Sequence, residues 1–141
     1  MFGTSFGRAN AYARVGVETG VSSADPHKLI LMLFDGAIMA TTAAGVAMDN
    51  RQIALKGEKI SKAIEIITNG LKVSLDMNAG GELADRLFAL YDYMADRLLY
   101  ANLHNNRAAL DEVTELLSGL REAWRGIGPA QPRSETPAVP S

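Results

Sequence analysis

Apolar residues recur every three or four positions from Pro26 to Arg125, and the pattern commits this chain to helices. No stretch alternates with a period of two, apart from Leu71–Leu75, which continues a helical run. Asp25 followed by Pro26 marks a helix start. The aspartate accepts from the first free backbone N–H groups, and proline lacks the one donor that position does not need. From there the spacing predicts helix one at about 26–49, helix two at about 51–76, helix three at about 81–104 and helix four at about 106–125. The connectors "MNAGG" and "HNN" are short, so consecutive helices should lie antiparallel. The expected fold is all-α, an antiparallel four-helix bundle over residues 25–127. Residues 1–24 are broken by Gly3, Gly7, Gly16 and Gly20 and read as a mobile arm with a short helical stretch. Residues 128–141 hold four of the five prolines, have no apolar period and read as a disordered tail.

Helix one is apolar nearly all round and should be the most buried element, with Gly36 and Gly45 allowing close neighbours. Its segment Leu29–Met48 is long enough to cross a bilayer. Asp35 near its middle would cost about 2.5–3.5 kcal/mol there, and the many alanines add little drive. A buried bundle helix is the better reading, without membrane insertion. Helices two and three each carry two apolar stripes about 120° apart. On helix two these are Ile53, Ile60, Ile64, Ile67, Leu71 and Leu75, then Ala63, Ile66, Gly70, Val73 and Met77. On helix three they are Leu83, Leu87, Leu90, Met94, Leu98 and Ala101, then Ala84, Phe88, Tyr91, Ala95 and Leu99. Helix four has one face: Leu110, Val113, Leu116, Leu117, Leu120, Trp124 and Ile127. A bundle helix needs about three positions in seven for packing, so helices two and three have apolar surface to spare. Either helix one and the arm cover it, or it forms an exposed groove of the kind that receives an amphipathic helix.

Chemistry is absent from the pattern. The chain has no cysteine, which excludes disulfides and thiolate metal sites. Neither His27 nor His104 follows a glutamate three residues earlier, so the bundle di-iron motif fails. Both histidines read as structural, with His27 exposed at a helix start. Asp85, Asp92 and Asp96 share a face with Glu82 beside Arg86 and Arg97 and read as a solvated face; Tyr93 and Tyr100 lie on the same arc as exposed tyrosines. Gly80-Gly81 is a helix-breaking turn. Net charge is −2 with lysine and arginine scattered, which argues against nucleic acid. No enzyme, cofactor or metal is expected.

"VSSADPHKLILMLFDGA" (21–37), "SLDMNAGGELADRLFALYDYMADRLLYANL" (74–103) and "LDEVTELLSGLREAW" (110–124) resemble the FliS family of flagellar secretion chaperones. The resemblance runs from Tyr12 to Ile127; Phe34 departs from the tyrosine many members carry, and the tail lies outside it. It implies a bacterial cytoplasmic chaperone that binds the disordered C-terminal segment of flagellin. Such a chaperone prevents premature polymerisation and aids delivery to an export gate component of the flagellar type III apparatus. It also implies an N-terminal arm that can fold over the client groove. The stripes, not the resemblance, nominate the groove residues: Ile66, Val73 and Met77 on helix two, Phe88, Tyr91, Met94, Leu98 and Leu99 on helix three, and Leu110 and Leu117 on helix four. Tyr12 and Val15 are the arm's candidates. The competing reading is a self-contained bundle that forms a homodimer through the same stripes when no client is bound.

Overall fold

The computed structural model describes residues 25–127, so the arm with Tyr12 and Val15, and the Pro-rich tail, lie outside the described residues. Helix α1 (Pro26–Asp49) begins as its sequence directs: the Asp25 carboxylate accepts from Lys28 N at 3.2 Å, with Pro26 in the first turn. A tight turn leads to α2 (Ile53–Ile66). The sequence predicts one helix to Asp76, but the α geometry stops at Ile66. It passes into a π-helical segment (Ile67–Leu71) and a 3-10 turn (Lys72–Ser74). Thr68, Asn69 and Gly70 are weak helix formers, and close packing governs the shape here. A Cβ on Gly70 would stand 3.0 Å from Leu33 Cδ2. The wider turn sets this part of α2 almost against α1.

The connector to α3 (Gly81–His104) is an aspartate-led turn. Asp76 Oδ1 accepts from Asn78 N and Ala79 N at 3.1 and 3.0 Å, and Gly81 takes a positive φ of 57°. Asn105 closes α3 in the left-handed region, and Asn106 caps α4 (Arg107–Ile127) by accepting from Ala109 N at 2.8 Å. Each helix packs on its neighbours in the chain, and α4 returns against α1. His27 meets Trp124 and Arg107 meets Asp49, so α1 and α4 are antiparallel; Lys56 meets Asn102 and Lys72 meets Asp92, so α2 and α3 are too. The result is the expected antiparallel four-helix bundle.

The interior is a single set of layers. From α1 it takes Leu33, Phe34, Ala37, Ala40 and Ala44. The other helices add a buried residue at every third or fourth position: Ile60, Ala63 and Ile67; Tyr91, Met94, Leu98 and Ala101; Leu110, Val113 and Leu117. α1 has more buried residues than any other helix, yet it is not buried all round, because Met39 and Val46 face solvent. It is long and apolar enough to cross a membrane by length and composition, and its buried face lies between α2 and α4.

One buried cation continues the α2 spine below Ile60. Lys56 is 4% exposed, and its Nζ donates to the Asn102 carbonyl at 3.0 Å and to Asn105 Oδ1 at 2.5 Å. It ties the first turn of α2 to the C-terminal end of α3, where helix carbonyls favour positive charge. Lys56→Met keeps the stem and removes the donor. We expect it to lower stability by about 1–3 kcal/mol through the acceptors it strands, measured by urea unfolding. An unchanged midpoint would show that water replaces the ammonium without loss.

Candidate binding surface: the two flanks of α2

Five of the ten residues nominated for a groove are interior. Tyr91, Met94, Leu98, Leu110 and Leu117 are buried and belong to the packed core. Their positions follow the three-four spacing that faces the other helices, and this spacing draws from both stripes on α3. Burial pushes the Tyr91 hydroxyl up to about 12. The other five reach the surface: Ile66 and Val73 are half-buried, while Met77, Phe88 and Leu99 are exposed.

These five do not line one groove. Ile66 Cδ1 lies against Gly36 of α1, 3.4 Å from where a Cβ would be. Ile66 therefore marks the edge of α2 that faces α1. Phe88 stands on the α3 edge that faces α2, where Lys72 Nζ sits 4.3 Å from its ring centroid and 2.5 Å from Asp92 Oδ1. Counting at about 100° per residue puts Leu99 on that same α3 edge. The surface is thus two apolar strips, one on each side of α2. The first joins Ile66 and Leu55 to Met39 and Val46; the second joins Ile53 and Ile64 to Phe88 and Leu99, with Leu103 beyond. Met39 is 71% exposed and Leu99 is 52% exposed. Met39, Val46 and Leu55 are not among the residues that the stripes nominate. The wheel of α1 is apolar nearly all round, and nothing in it says which third of the circle lacks a neighbour.

The flanks of α4 are built differently. Towards α1, Arg121 Nε pairs with Asp35 at 2.5 Å, and Arg107 pairs with Asp49 and donates to the Gly45 carbonyl at 3.2 Å. Between them Thr114 Oγ1 donates to Thr41 Oγ1 at 2.8 Å. Towards α3, the Tyr93 hydroxyl donates to Glu112 Oε2 at 2.5 Å and Arg97 Nε to Glu112 Oε1 at 2.9 Å. The bond from Tyr93, then that from Arg97, hold the Glu112 carboxyl below its ordinary range. At the end of the bundle the rings of His27 and Trp124 stack with centroids 5.1 Å apart. Trp124 Nε1 donates to the His27 carbonyl at 2.9 Å, and His27 Nε2 donates to the Trp124 carbonyl at 2.9 Å. His27 is therefore a packed joint between two helix ends and not the exposed side chain its position suggested. Tyr100 lies under Arg97 and against His104. Polar pairs thus bridge α4 to both neighbours, and apolar side chains are left open on both sides of α2.

Such a surface offers apolar contact area to another chain. Among the described residues no group of three or more histidine, aspartate or glutamate side chains could hold a metal. The family described as flagellar protein FliS matches residues 8–131. The flagellar secretion chaperone FliS of Salmonella typhimurium is 54% identical over 119 residues, which cover 84% of this chain and 88% of that protein. Its counterpart in Escherichia coli is 47% identical over 115 residues, covering 82% and 85%. That of Bacillus subtilis is 33% identical over 108 residues, covering 77% and 79%. The chain belongs to the FliS family of flagellar proteins, a family of chaperones and not of enzymes.

Proposed function

We propose that this protein is a bacterial cytoplasmic chaperone for flagellin, which it binds through the C-terminal segment and holds unpolymerised for delivery to the export gate. One observation carries the reading: a bundle sealed by polar pairs along α4 leaves Met39, Leu55, Phe88 and Leu99 open on both sides of α2. Exposed apolar strips of this kind are costly to a monomer unless something covers them. Amphipathic helical segments suit grooves between antiparallel helices. The names of its relatives, flagellar secretion chaperones, point to a flagellar export client. Flagellin fits because its C-terminal segment is disordered alone and becomes helical on assembly, so it offers an apolar helix face to any groove that precedes the filament. Residues 1–24, with Tyr12 and Val15, are the proposed intramolecular competitor for the same surface, which lowers apparent affinity by the open fraction.

A second reading shares the geometry: a second copy of the chain could cover Met39 and Leu99 equally well, making the bundle a dimerisation module. Light scattering on gel filtration separates the two. Mixing the full chain with a flagellin C-terminal fragment should give a one-to-one complex at the summed mass. A homodimer that ignores the fragment would replace the chaperone reading with the dimer.

A further inference from the structure

The two flanks of α2 differ in charge. Leu55, Lys59, Lys62 and Ile66 share the edge of α2 that faces α1, at the spacing of one helical face. They run about 16 Å along it, at roughly 1.5 Å per residue. Across from them α1 presents Met39 and Val46 and no available carboxylate. Its two acids are both paired with arginines of α4: Asp35, one turn before Met39 on the same face, with Arg121, and Asp49 with Arg107. Lys59 and Lys62 enter no ion pair or hydrogen bond among the described residues. Glu58 and Glu65 stand further round on the outer face of α2. The α3 flank has the opposite character. Its lysine, Lys72, is already bound to Asp92, and Asp96 follows on the same rim.

We infer that the α1/α2 flank receives an amphipathic helical segment of the client whose apolar face covers Met39, Val46, Leu55 and Ile66 and whose α2-side edge presents carboxylates to Lys59 and Lys62. This rests on the client-binding reading above and adds the chemistry of the segment and the groove it enters. Two cations without a partner among the described residues attract such an edge and fix which way round the helix lies, while the acidic rim on α3 repels it. The apolar contacts hold the segment; the lysines choose it.

The test is calorimetric titration of the full chain with a flagellin C-terminal fragment at low and high salt. Lys59→Glu with Lys62→Glu should weaken binding about tenfold at low salt, from the lost attraction and added repulsion of two rim pairs. The gap should narrow at high salt. Lys59→Gln with Lys62→Gln, which leaves both helix propensities nearly intact, should show a smaller loss in the same direction. It should also be non-additive with a fragment whose acids are neutralised to Asn and Gln, because each change removes the same pairs. Binding that ignores both lysine variants, or losses that simply add, overturns the inference and leaves the chaperone reading intact. Failure of the unaltered chain to bind any flagellin fragment overturns both.

Discussion

Leu98→Asp unfolds the bundle. Leu98 is 0% exposed and stands among Met94, Ala101, Ile60 and Val113 in one continuous core. Shortening such a leucine to alanine costs about 2–5 kcal/mol, because the lost burial is joined by a cavity the neighbours fill only in part. Aspartate adds the desolvation of a carboxyl group with no donor in reach. A domain of this kind has about 5–15 kcal/mol in total, so the change removes most or all of it. Circular dichroism at 25 °C should show loss of helix or a melt without cooperativity, while Leu98→Met, which keeps the volume, should melt within a few degrees of the parent. A Leu98→Asp variant that melts cooperatively near the parent temperature would mean the spine Tyr91–Met94–Leu98 is not interior.

The contrast with Leu99, one residue on, shows what a sequence can and cannot say about such a bundle. Helix ends are local matters, and they were legible. Asp25-Pro26 sets the start of α1, Gly80-Gly81 the start of α3, and His104 and the asparagines after it the end. The end of α2 was not legible: the π segment holds Gly70, where a Cβ would crowd Leu33, thirty-seven positions away in the chain, and such a long-range approach leaves no mark on the wheel. The stripes were read correctly as apolar arcs and wrongly as separate faces. On α2 and α3 the interior takes the strip between them, with Ile60, Ala63 and Ile67 on one helix and Tyr91, Met94 and Leu98 on the other. A helical wheel gives the width of the apolar arc. Which part of it is covered depends on where the neighbouring helices lie, and that is decided by pairs such as Asp35 with Arg121 and His27 with Trp124, which join opposite ends of the chain. The wide arcs on α2 and α3 signalled surplus apolar surface as one groove, and the exposed side chains fall instead in two strips, one on each side of α2.

Two strips make a sharper expectation than one groove. Leu99→Asp and Met39→Asp each change an exposed side chain with no core role, so each variant should melt close to the parent, within the roughly 0.5 kcal/mol usual for surface changes. Each should nevertheless weaken binding of a flagellin C-terminal fragment. A contact near the middle of an interface is worth about 2 kcal/mol or more when removed, or about thirtyfold in affinity, and an unpaired carboxylate buried under the client adds to that. Leu99 and Met39 stand on opposite sides of α2, on α3 and α1, so the two substitutions act on separate surfaces. If one client chain spans both flanks, the double variant should lose the sum of the two single losses, since sites this far apart with no shared partner couple weakly. If the client uses a single flank, one substitution should be silent and the double variant should match the other. Titration calorimetry on the three variants decides it, with melting curves alongside. Should all three bind as the parent does while remaining folded, neither flank of α2 is the client site, and the exposed strips belong to some other contact.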